Sequence, residues 1–123
     1  MFVATYDKDN QQINSNVSAF GHEIRYIKTW EDITTEKIIF CIDKQTAKEV
    51  ANLYFVNPLV TFNHDLNATY VFGENNQQKL AKEIIACIEN SHRKVSLLSI
   101  SNKTLWAESA MAIVLYDIER TET

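Results

Sequence analysis

Residues 94–119, KVSLLSISNKTLWAESAMAIVLYDIE, decide how the rest of the chain is read. Val95 to Leu98 is a short apolar run of the length of a buried strand. A polar connection follows, and then a helix over roughly Thr104 to Glu119 in which Ala107, Ala110, Met111, Ala112, Ile113, Val114 and Leu115 leave little polar surface. A helix apolar most of the way round needs cover on more than one side.

Upstream, Gln77 to Ser91 has a helical pattern, with Leu80, Ala81, Ile84, Ile85 and Ile88 on one side and Lys79, Lys82, Glu83 and Glu89 on the other. Before it, Thr69 to Phe72 is a buried-strand pattern stopped at Gly73-Glu74. Lys37 to Ile42 is almost continuously apolar, as strands buried on both faces are, and such strands are typical of parallel sheets covered by helices. Lys44 to Phe55 places Ala47, Val50, Ala51 and Tyr54 on one helical face, and Asn57-Pro58 ends it. Leu59 to Phe62 reads as a short strand or a packed loop. Phe2 to Tyr6 and Glu23 to Ile27 read as strands, and Gln11 to Phe20 permits about one or two helical turns before Gly21. The alternation predicts a single α/β domain over 1–123, a mainly parallel sheet flanked by helices.

A chain of 123 residues is one domain by size and can bury about two-thirds of its unfolded surface. Its 46% hydrophobic and 23% charged content is that of an ordinary globular protein. With net charge -4 and a pI near 5.3 it has no overall positive field to attract nucleic acid, so an RNA contact would need a local patch. No apolar stretch reaches the roughly 18 residues of a membrane span. Cys41 in an apolar run and Cys87 at a helical position, with no signal peptide before them, read as buried thiols of a cytoplasmic protein. His22, His64 and His92 lie far apart with no partner at metal spacing, so no metal is expected. A His64-Asp65 pair and the basic cluster Lys79, Lys82, His92, Arg93 and Lys94 both read first as solvated polar surface.

Ligands of parallel sheets sit beyond the carboxyl ends of the strands. Two such ends stand out: Gly73-Glu74, where the glycine allows close backbone approach, and 98–104, a polar loop longer than a tight connection needs. From composition alone they are a strand-to-helix turn and a loop.

The order Tyr70-Val71-Phe72-Gly73-Glu74, then Val95-Ser96-Leu97-Leu98, then Thr104-Leu105-Trp106-Ala107-Glu108-Ser109-Ala110, then Ile113-Val114-Leu115-Tyr116-Asp117 resembles the SPOUT superfamily of knotted methyltransferases, most closely its SpoU-like 2'-O-ribose branch. The likeness covers about fifty residues and rests on order and spacing. It implies a C-terminal deep trefoil knot, a homodimer through the last helix with Trp106 and Tyr116 as anchors, an RNA substrate, and S-adenosylmethionine held largely by backbone groups. Carried over residue by residue, it implies cofactor contacts at Gly73, Glu74, Leu97, Leu98, Ile100, Thr104, Leu105 and Trp106.

The chain departs from the family where the chemistry is expected. The family's N-terminal motif, close to N-x-G-N-x-x-R, supplies an arginine implicated in activating the ribose hydroxyl; here Asn14-Ser15-Asn16-Val17-Ser18-Ala19-Phe20 has neither glycine nor arginine. Arg25 lies past Gly21 in the second strand and does not inherit the role. Proline is missing from the end of the Val95 strand, and Trp106 replaces the motif asparagine. Methyl transfer needs an oriented nucleophile and a place for its proton. The candidates left are Glu74 and Glu108, each of which also reads as a solvated acid at a helix start.

Overall fold

A computed structural model describes residues 1–6, 10–73, 78–100 and 105–122. Six parallel strands form one sheet in the order β2-β1-β5-β3-β6-β4: β1 (Phe2–Thr5), β2 (Glu23–Tyr26), β3 (Lys37–Ile42), β4 (Asn57–Pro58), β5 (Thr69–Phe72) and β6 (Lys94–Ser99). Four helices cover it: α1 (Gln11–Ala19), α2 (Lys44–Val50), α3 (Gln78–Asn90) and α4 (Ala107–Glu122).

The uninterrupted apolar run of β3 has the expected cause. Ile39 and Cys41 join the core under α1 and α4, while Ile38, Phe40 and Ile42 join the core under α2 and α3. β5 divides likewise, with Tyr70 and Phe72 on the α4 side and Val71 on the α3 side. α4 buries Ala107, Ala110, Met111, Val114, Leu115 and Ile118, one stripe at helical spacing.

The helices α1 and α2 and the strand β4 differ from their sequence patterns. α1 is nine residues long, more than the expected one or two turns, because Asn10 caps it: its Oδ1 accepts the Gln12 and Ile13 N–H groups at 3.1 and 3.3 Å. α2 stops at Val50; Ala51 faces solvent and has nothing to pack on, so the chain turns with Leu53 and Tyr54 N–H both bonded to Val50 C=O. Leu59–Thr61 is a 3₁₀ turn, the packed loop of the two alternatives, with Leu59 and Phe62 against the α4-side core. Asn57–Pro58 does more than end a helix, since it pairs with Leu98 and Ser99 as an edge strand, where proline's missing N–H is tolerated.

That pairing sets the path of the chain. From β3 it passes along one face as α2, crosses outside β6 as β4, returns along the other face through 59–68, and re-enters the sheet as β5 between β1 and β3. β6 therefore lies between β3 and β4 with this segment on both sides of it. The chain reaches β6 from α3 on the first face and leaves it toward α4 on the second.

Candidate functional site

The carboxyl ends of β3, β5 and β6 converge on a small cavity. β3 brings Cys41 and Asp43, β5 brings Phe72 and Gly73, and Ile100, Leu105 and Ala107 close it from beyond β6. Its volume is about 20 Å³. That is room for about one water molecule, and ligand pockets begin at about 300 Å³.

One polar group in its wall has unspent bonding capacity. Asp43 follows the last residue of β3 with extended backbone and caps α2, its Oδ1 accepting the Thr46 N–H at 2.8 Å. Its other oxygen, Oδ2, is buried with no hydrogen-bond partner among the described residues, and so is Thr46 Oγ1. A buried carboxylate oxygen without a donor is costly. Asp43 is absent from the residues expected at the site. The signal for it is an acid directly after a buried parallel strand, the position at which such sheets bind ligands.

Of the residues implied as cofactor contacts, Gly73, Ile100 and Leu105 meet at this cavity. Leu98 is buried on the α4 side, whereas Leu97 faces the α2 and α3 side. Trp106 is 64% exposed just before α4. Glu74 and Thr104 lie outside the described residues.

Glu108 sits in the first turn of α4 and is held by α1. Its Oε2 accepts from Asn10 Nδ2 at 3.0 Å, and its backbone C=O accepts from Asn16 Nδ2 at 3.0 Å. Residues 14–20, the place of the family's arginine motif, thus belong to a helix that clamps the start of α4. Arg25 lies on the edge strand β2, with Cζ 3.7 Å from the Phe2 ring centroid and Nη1 donating to Thr34 Oγ1 at 3.4 Å.

A second polar constellation joins residues far apart in sequence. His64 pairs with Tyr70 and Asp117, not with its neighbour Asp65. The Asp65 N–H donates to Tyr70 Oη at 3.2 Å, and the 2.7 Å contacts His64 Nδ1···Tyr70 Oη and His64 Nε2···Asp117 Oδ2 continue the chain. Arg120 donates to Asp117 Oδ1 at 2.7 Å. With a ring proton on Nε2 every atom has a partner: Tyr70 donates to Nδ1 and Nε2–H donates to Asp117.

Burial pushes the Tyr70 hydroxyl far up, so it stays a neutral donor. For Asp117, burial opposes the charge, but hydrogen bonds from Arg120 and His64 outweigh it and hold the carboxyl below its ordinary value. Although Tyr-His-Asp imitates a nucleophile relay, Tyr70 is 0% exposed and out of reach of any substrate. The chain is a pin between the 59–68 segment and α4. Burial likewise pushes both thiols up, which fits inert core cysteines.

Among the described residues no group of three or more His, Cys, Asp or Glu side chains is placed to hold a metal, and no helix is long and apolar enough to cross a membrane. No protein-family model matches the chain, and no curated protein matches it either.

Proposed function

We propose that this chain is a SPOUT-like α/β-knot protein of the SpoU-like RNA 2'-O-ribose methyltransferase type. The observation that carries the reading is the path around β6. Residues 43–68 pass from one face, outside β6, to the other, and the chain after β6 continues on the far side of that loop. This path is consistent with β6 lying inside a loop closed through β3 and β5, the threading that a trefoil knot requires and that ordinary parallel sheets avoid.

S-adenosylmethionine, when bound, supplies the methyl group. Gly73, Ile100 and Leu105 are the residues that would hold it, with Asp43 beside them in the cavity wall. At about 20 Å³ the closed cavity does not fit the whole cofactor. Binding it requires the wall made by Ile100 and Leu105 to draw back from Cys41 and Phe72.

The dimer belongs to the same proposal. On the outer side of α4, Ile113 and Tyr116 are 42% and 60% exposed three residues apart, opposite the buried stripe, and Trp106, just before the helix, is 64% exposed. Sedimentation of the wild type and of Ile113→Asp should show a dimer and a monomer; a monomeric wild type refutes the interface.

Glu108 favours a second reading, a dimeric binding module that has lost the chemistry. Its carboxylate is occupied by Asn10, and no arginine stands on α1 to orient a ribose hydroxyl. Calorimetric titration with S-adenosylmethionine and S-adenosylhomocysteine, followed by methyl transfer to bulk tRNA and rRNA, separates the two. Binding with transfer supports the enzyme, binding without transfer supports the module, and no heat or thermal shift at millimolar ligand rejects the enzyme.

A further inference from the structure

A larger cavity opens on the other face of the sheet. Its volume is about 310 Å³, at the lower end of the range of small-ligand pockets. Tyr54 and Phe55 come to it from the turn between α2 and β4, Ile88 from the end of α3, and Arg93, Val95 and Leu97 from the start of β6.

Two features mark it as a site. First, β4 covers β6 only at Leu98 and Ser99, leaving the outer backbone edge of β6 open before them. Asn57 Nδ2 reaches back to the Leu97 C=O at 3.1 Å, which shows that Leu97's backbone points outward, while the Lys94 N–H points inward to Glu36 C=O at 3.1 Å. Strand alternation then turns the Val95 N–H and C=O outward beside the cavity.

Second, Arg93 is the one charged residue in the lining. Among the described residues its Nη1 is buried with no hydrogen-bond partner, and the ion pairs do not include Arg93. Its Cζ lies 5.9 Å from the Trp30 ring centroid, so an aromatic ring, not a carboxylate, accompanies the guanidinium. Nη1 is closed to solvent, so an anion in the cavity would meet Arg93 through the part of the side chain that lines it, where a guanidinium offers charge-assisted hydrogen bonds.

We propose that this cavity binds a small carboxylate carried on an apolar or aromatic body. The carboxylate meets Arg93, the outward N–H of Val95 offers a further donor, and the body lies against Tyr54, Phe55 and Ile88. A single guanidinium among apolar walls suits one negative charge. A phosphate dianion would leave charge unpaired in an apolar wall. The proposal stands independently of the cavity at the carboxyl ends of the strands.

The test is a titration of the full chain followed by backbone amide resonances, with phenylacetate, its neutral analogue 2-phenylethanol, and inorganic phosphate as probes. Phenylacetate should shift Tyr54, Ile88, Arg93 and Val95 with a Kd of about 1 mM or tighter. Arg93→Gln should weaken it by about tenfold or more. Phe55, 77% exposed, is changeable without disturbing the core, and Phe55→Asp should weaken phenylacetate by repulsion even where Arg93→Gln proves too unstable to study. Shifts confined to other residues, equal binding of 2-phenylethanol or phosphate, or undiminished binding in the variants would overturn the proposal.

Discussion

Replacing Tyr70 by Phe removes one oxygen and nothing else, which makes it a clean test of the pin between residues 59–68 and α4. Two groups lose their partner: His64 Nδ1 at 2.7 Å and the Asp65 N–H at 3.2 Å. The His64 side chain is only 5% exposed, so water does not readily replace the hydroxyl. Leaving a buried polar group unsatisfied costs about 1–3 kcal/mol, and the half-buried Asp65 N–H adds less, for a total of about 2–3 kcal/mol. At about 2.1 cal/mol/K per residue, the unfolding entropy of a domain this size turns that into a Tm lower by about 8–12 °C. Thermal unfolding followed by circular dichroism measures it, with urea unfolding as a check that the slope is unchanged. A shift below about 2 °C would show that the network contributes nothing, and the role given to it here would be wrong.

Further outcomes follow from the same geometry. Asp117 is held below its ordinary value of 3.8, so its contribution to stability is complete above that value and disappears as pH falls through the lower folded value; the stability gap between wild type and Asp117→Asn should close over that acid range, and a gap constant down to complete protonation would contradict the pairing. Gly21 follows α1 at φ +80° with open space where a Cβ would stand, so Gly21→Ala should cost about 1–2 kcal/mol from backbone strain alone, read by urea unfolding. Met111 is 0% exposed in the middle of α4, and Met111→Ala should cost about 2–5 kcal/mol; a smaller loss would mean that α4 is not packed on the sheet as described.

The parts of the fold legible in the sequence are those whose pattern has a local cause. β3 reads as apolar throughout because both its faces are covered, and α3 shows its face because Leu80 and Ile84 are buried against the sheet while Lys82 and Glu89 are exposed. α1 is under-read because it buries only Ile13 and Val17, and its length depends on the Asn10 cap and on α4 lying beside it. β4 has no strand pattern at all. Two residues, one of them proline, become a strand only because the edge of β6 is there to receive them.

The candidate site divides in the same way. Gly73 and the loop after β6 follow from the rule about strand ends, and Asp43 follows from it too once the acid after β3 is given weight. The His64–Asp117 pair spans 53 residues and the Asn10–Glu108 pair 98, so no spacing rule reaches either. Arg93 belongs to a charge run that reads as solvated surface. Only the short reach of β4 uncovers the cavity that Arg93 lines.

The central claim, a cofactor site at the carboxyl ends of β3, β5 and β6, is tested most directly by titrating the labelled chain with S-adenosylhomocysteine and following backbone amide resonances. Saturable shifts are expected at Asp43, Gly73, Ile100 and Leu105, with Tyr54, Ile88 and Val95 unmoved. An unchanged spectrum at millimolar ligand, or shifts centred on Arg93, would contradict the claim.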